Sequence, residues 1–125
     1  MIVIKNLNKE RPVEPYQVRV DASSGSPLGN PFHYMISQEG ETARNYCIDM
    51  YKKWFSNQLD TNPIVLQETQ KLLDIYFEHD KLELFCWCSP RRCHAEVIRE
   101  YLETQIEMTR IIRRTCETLV RGNKE

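Results

Sequence analysis

The chain has 125 residues, 41% of them hydrophobic and 28% charged, and carries a net charge of −1. That is one domain's worth of chain, able to remove roughly 65–70% of its unfolded surface from water without staples. The balanced charge excludes a global field that would draw the protein onto nucleic acid or an anionic membrane, and no apolar run approaches the ~18 residues of a membrane span.

In chain order, Ile2–Ile4 is a short apolar run, and polar 6–14 follows with Pro12 and Pro15 as breakers. Tyr16–Val20 alternates Tyr16, Val18 and Val20 against Gln17 and Arg19, the period of a half-buried strand. Asp21–Asn30 reads as a loop. From Glu41 the period becomes helical, with Ala43, Tyr46, Cys47, Met50, Tyr51, Trp54 and Phe55 on one side. Asp60, Thr61 or Asn62 can cap a second helix with Pro63 in its first turn, running through Val65, Leu72 and Phe77.

Leu82–Trp87 is apolar on both faces, as a strand inside a sheet must be, and Ser89–Pro90 stops it. A last helix starts near Cys93 and ends at Gly122. At ~1.5 Å per residue it would be about 40 Å long, more than the breadth of such a domain. The expected fold is α/β, a small three-layer or two-layer sheet, mostly parallel, with a long C-terminal helix. Residues 1–103 form the expected ligand-binding domain and 104–125 a helical extension of it. A right-handed crossover makes Tyr16–Val20 and Leu82–Trp87 parallel, so the loops after both strands leave the same end of the sheet, where ligands settle in open α/β folds.

Two segments carry chemistry. In Gly25–Phe32, glycines permit left-handed backbone and close approach, prolines hold the loop in shape, and Ser26 and Asn30 supply polar atoms. The same composition also makes an ordinary tight turn. The second segment is Cys86–His94, with Cys86, Cys88, Cys93 and His94 inside nine residues. These are zinc-type ligands, but the single residue between Cys86 and Cys88 departs from the usual spacing of structural zinc pairs. The odd total of five cysteines and the absence of a secretory signal at Met1–Lys5 set the expectation of a cytoplasmic protein with reduced thiols. A turn entering a helix near Cys93, beside Arg91 and Arg92, offers amide hydrogens and positive dipole to a phosphate or carboxylate. Cys93 there would be acidified into a nucleophile, with His94 as acid–base partner or simple first-turn residue. Arg44, near the start of the first helix, can clamp an anion or decorate a solvated face.

Gly25-Ser26-Pro27-Leu28-Gly29-Asn30-Pro31-Phe32, Arg44 with Tyr51, and Leu84 to Pro90 with Cys93-His94 resemble the domain-of-unknown-function 4326 family over about residues 2–103. The resemblance implies a small Rossmann-like domain of bacteria and phages, similar to proteins suspected of handling nucleotide-derived ligands. Carried onto this sequence, the family's marked positions are Gly25, Ser26, Gly29, Asn30, Pro31 and Phe32, then Arg44, then Cys86, Trp87, Cys88, Pro90, Cys93 and His94. Where many relatives carry an Ile-Gly-Arg-like segment after the second strand, this chain has Val20-Asp21-Ala22.

The resulting expectation is a pocket for a small anionic, nucleotide-like or phosphosugar-like ligand, in a binding domain or a small hydrolase or transferase, with no cofactor identified. Its ligand-binding groups are Gly25, Ser26, Gly29, Asn30, Phe32, Arg44, Cys88, Arg91 and Arg92, and its catalytic pair is Cys93 and His94. The alternative is a non-catalytic interaction protein whose helical residues 104–125 bind a second copy or a host protein. A third reading is a zinc-bearing domain using Cys86, Cys88, Cys93 and His94. The tail's arginines suggest nucleic acid, but interleaved Glu107, Glu117 and Glu125 make a solvated helix face the better explanation, and no membrane partner is expected.

Overall fold

A computed structural model describes residues 1–32, 36–88 and 91–122. Three strands, β1 (Ile2–Asn6), β2 (Gln17–Arg19) and β3 (Leu82–Cys86), form one parallel sheet in the order β1-β3-β2. Among the described residues there are also three α-helices, α1 (Ile36–Thr61), α2 (Pro63–His79) and α3 (His94–Gly122). No helix among the described residues is long and apolar enough to cross a membrane.

The register shows why β3 is central. Ile4, Leu84 and Val18 stand side by side across the three strands, and so do Lys5, Phe85 and Arg19. The first row belongs to a core shared with Tyr51 and Phe55 of α1, Leu72 and Tyr76 of α2, and Ile98 and Leu102 of α3. All three helices therefore cover one face, and the fold is two-layered. The opposite face keeps polar cross-strand pairs, such as the Gln17 amide donating to Glu83 at 2.8 Å. Phe85 is nonetheless fully buried there. That burial accounts for the two-faced apolar pattern of the strand.

Strand β3 stops at Cys86, one residue before the expected end at Trp87, because β1 and β2 have already ended at Asn6 and Arg19, opposite Cys86 and Phe85. The expected stop at Ser89–Pro90 lies outside the described residues. Helix α1 begins at Ile36, earlier than the pattern from Glu41 implied, although Gly40 with φ 73° interrupts its first turns. Helix α2 is capped as its sequence dictates. Asn62 is extended, its side-chain oxygen accepts from Ile64 N at 3.0 Å, and Pro63 occupies the first turn.

Helix α3 has 29 residues. At ~1.5 Å per residue that is about 43 Å. Ile98, Leu102 and Ile106 are buried, and beyond Ile106 no residue through Arg121 is.

Candidate functional site

Strands β2 and β3 end side by side, and Val20 N donates to Phe85 O at 3.0 Å just beyond the last paired residues. The chain leaves β2 through Asp21 into one turn of 3-10 helix, Ala22–Ser24, which Gly25 closes with φ 76°. Gly29 then passes over that turn so closely that a Cβ on it would lie 2.6 Å from Ala22 Cα. Leu28 is fully buried, and its carbonyl accepts from the Tyr51 hydroxyl at 2.7 Å. Asn30 is buried, accepts from Phe32 N at 2.9 Å, and lines a pocket.

That pocket holds about 600 Å³ and opens where the two strands end. Asp21, Asn30, Arg44, Trp87, Cys88 and Arg91 are among its lining residues, together with Cys86, Cys93, His94 and Gly40. Of the expected ligand groups, Asn30, Arg44, Cys88 and Arg91 thus meet in one cavity. Gly25, Ser26, Gly29 and Phe32 do not line it; they build the loop that presents Asn30. Arg92 turns away. Its guanidinium donates to Asn45 at 3.1 Å and pairs with Asp49 at 3.2 Å on the outer side of α1.

Arg44 is 8% exposed. Its Nη1 donates to the Arg92 carbonyl at 3.3 Å, and its guanidinium also hydrogen-bonds the Cys88 sulfur. Among the described residues no carboxylate lies within ion-pair distance of it. A buried guanidinium is costly to keep, and the anionic neighbour it has among the described residues is the Cys88 sulfur in its thiolate form, not a carboxylate.

The thiols differ sharply. Cys88 is lowered to about 6, because Cys93 donates a hydrogen bond to it and Arg44 and Arg91 add positive charge, against the opposing effect of burial. Cys93 moves the other way, raised well above the ordinary thiol range by its hydrogen bonds with Cys86 and Cys88 and by burial. The expectation of an acidified Cys93 is therefore corrected. Proximity to arginines acts on Cys88, while Cys93 keeps its proton among neighbouring sulfurs.

The amide expected to await an anion is also occupied. Cys93 N donates to the Glu96 carboxylate at 2.8 Å, the half of a capping box in which the third helical residue reaches back, and Glu96 N makes a backbone bond to Cys93 O at 3.0 Å. His94 stands between two partners. Its Nε2 lies 2.7 Å from the Val20 carbonyl, which can only accept, so that nitrogen carries the hydrogen. Nδ1 then faces the Cys93 sulfur at 3.4 Å. The imidazole is buried edge-on against Tyr51 and ties α3 to the end of β2. No three His, Cys, Asp or Glu among the described residues are arranged to hold a metal ion.

Sequence reasoning missed Asp21. Burial raises its pKa, but hydrogen bonds from Arg19, Ser23 and Trp87 outweigh it and hold the carboxyl well below the usual range. Arg19 grips it with two nitrogens, at 2.9 and 2.7 Å. The Ser23 hydroxyl donates to it as well, and the Trp87 indole N–H reaches it at 3.0 Å. Arg11 and Arg19 flank the Trp87 ring at 5.4 and 5.8 Å. Asp21 thereby fixes Trp87 as a pocket wall. The readable signal was its place directly after a strand that ends beside another.

Comparison with curated proteins and with solved structures returns no match. Residues 4–104 match the family described as Domain of unknown function (DUF4326), and with four-fifths of its length inside that match the chain belongs to this family.

Proposed function

We propose that the pocket binds a small anionic ligand of the nucleotide or phosphosugar kind, with Arg44 taking its negative group. The observation that carries this reading is the buried Arg44 guanidinium facing a cavity of about 600 Å³ with no carboxylate beside it among the described residues. A phosphate or carboxylate would take the guanidinium hydrogens that the Arg92 carbonyl and the Cys88 sulfur leave over, and a planar guanidinium binds either through two parallel hydrogen bonds. The volume suits one small organic molecule, since such pockets run to roughly 300–1,000 Å³. Trp87 gives a flat apolar wall for a ring or sugar face, exposed Arg91 a second cation, and Asn30 further polar atoms.

Cys88 is the group best placed for chemistry on such a ligand, because it shares the cavity with Arg44 and is favoured as thiolate. Cys93 and His94 support it from behind, holding protons and backbone in place.

A thermal-shift screen with nucleotides and ADP-ribose-like compounds tests the reading. A ligand at 100 times its Kd adds about 2.7 kcal/mol, which for a domain of this size raises Tm by roughly 10 °C. Arg44→Gln should abolish that shift while leaving the unliganded protein folded. No stabilisation by any of these compounds at millimolar concentration rejects the proposal.

A further inference from the structure

The C-terminal part of α3 is a helix without cover. After Ile106 every described side chain through Arg121 is exposed except Thr109, which is half-buried. A stretch of ~15 residues with no packed face is marginal as a helix in water. On one side it does have neighbours: Arg110 donates to the Tyr76 hydroxyl at 3.3 Å, and the Arg113 guanidinium lies 5.5 Å from the Phe77 ring. These contacts turn its arginine side toward α2.

The side left outward has a coiled-coil period. Tyr101, Gln105, Met108, Ile112, Thr115 and Leu119 recur at alternating steps of four and three, and such a row forms a straight seam along a helix. Met108, Ile112 and Leu119 on that seam are each at least half exposed. The positions bordering the seam from Thr104 to Thr118 include Thr109, Ile111 and Cys116, none of them charged. The charges stand further out in an ordered row. Glu100, Glu107, Arg114 and Arg121 follow one another at seven-residue spacing, two acids and then two arginines.

Such a row is complementary to its own reversal. Laid antiparallel on a second copy, Glu107 meets the partner's Arg114 and Glu100 meets the partner's Arg121. In the same register Met108 faces the partner's Ile112, and polar Gln105 faces the partner's polar Thr115. The far end of the seam is a groove of about 170 Å³ between α1 and α3, lined by Phe55, Leu59, Val97 and Tyr101 among others. It stands ready for the partner's Leu119. A parallel pairing would instead set the charged row beside the neutral flank and gain no such pairs. We infer that α3 pairs antiparallel with α3 of a second copy of this chain through the seam from Tyr101 to Leu119, its direction set by the row from Glu100 to Arg121. This inference is independent of what the pocket binds.

Sedimentation of the full chain tests it, with a dimer expected at about 200 µM and dissociation on dilution. Ile112→Asp and Leu119→Asp, both at exposed positions, should each weaken association at least about tenfold with Tm of the monomer unchanged. A monomeric full chain at the top concentration overturns the inference, and so does a dimer that survives both substitutions. Direction is read separately. The double variants E100R/E107R and R114E/R121E should each be monomeric alone and dimerise when mixed. If the wild-type chain dimerises but the mixture does not, the antiparallel assignment is wrong.

Discussion

The Nε2 of His94 and the carbonyl oxygen of Val20 are 2.7 Å apart, which joins the first residue of α3 to the end of β2 across 74 positions of sequence. This bond fixes the tautomer of the ring, sets Nδ1 toward Cys93, and holds together the two chain segments between which the pocket opens. Replacing His94 with Phe keeps the aromatic contact with Tyr51 but leaves the Val20 carbonyl unpaired in a buried place. The expected cost is about 1–3 kcal/mol of stability, measured by urea unfolding. A variant as stable as the wild type would show that the histidine is not a latch.

Two glycines of the loop make opposite demands, and substitution separates them. Gly29 needs space: an alanine there would drive its Cβ into backbone atoms of Ala22, which cannot rotate away. Gly29→Ala should cost about 1–3 kcal/mol and displace Asn30 from the pocket. Gly25 needs only its left-handed backbone, since nothing lies within 4 Å of where a methyl group would stand. Gly25→Ala should cost roughly 1–2 kcal/mol and leave the pocket intact. Equal effects of the two substitutions on stability and on ligand-induced Tm shifts would contradict this division.

Much of the framework could be read from the chain because it rests on local rules. Alternation in Tyr16–Val20, the two-faced apolar run of Leu82–Cys86 and the Asn62-Pro63 start of α2 each encode their element within a few residues. The meeting of two loops at one sheet end followed from the parallel crossover. Side-chain direction inside the turn did not. Arg91 and Arg92 are adjacent and chemically alike, yet one lines the pocket and the other pairs with Asp49, a choice made by where α1 happens to pass. The acidic thiol was misplaced for a similar reason. Which of three sulfurs yields its proton depends on their mutual hydrogen bonds and on Arg44, and Arg44 comes from more than forty residues away. The Glu96 carboxylate on Cys93 N–H, by contrast, follows from a spacing of three alone.

Asp21 links pocket shape to acidity. Its carboxyl has a lowered pKa in the folded chain, so the stability it contributes is present above its unfolded value of about 4 and is lost as pH falls through the lower folded value. Asp21→Asn should therefore destabilise the protein at neutral pH by about 2–3 kcal/mol, with Arg19 partly compensated by water at its exposed edge. The gap between variant and wild type should narrow as pH falls below about 4, where the unfolded chain takes up a proton that the folded carboxylate does not, and close only below the folded value. Trp87 fluorescence reports protonation of the folded carboxyl at that lower pH, because the indole N–H then loses its anionic acceptor. A gap that stays constant from neutral to strongly acidic pH would rule out the ionised carboxylate as the source of the stability.

Cys88 offers the sharpest reading of the site's electrostatics. Its thiol is lowered to about 6 in the folded chain, while an unfolded thiol titrates near about 8.5. Between those values the unfolded state holds a proton that the native state has released, so this group's stabilisation grows with pH and is lost as pH falls through about 6. Only the thiolate attacks iodoacetamide. The pH profile of Cys88 alkylation, followed residue by residue by mass spectrometry, should thus have its midpoint near the folded value, and Cys93 should stay unmodified across it. Arg44→Gln removes one of the positive charges and should move the Cys88 midpoint upward, toward the ordinary thiol range. A bound anion on Arg44 should do the same by neutralising that charge, and would also shield the sulfur sterically. Alkylation of Cys93 ahead of Cys88, or a midpoint indifferent to Arg44→Gln, would remove the guanidinium–thiolate pairing on which the chemistry of this pocket depends.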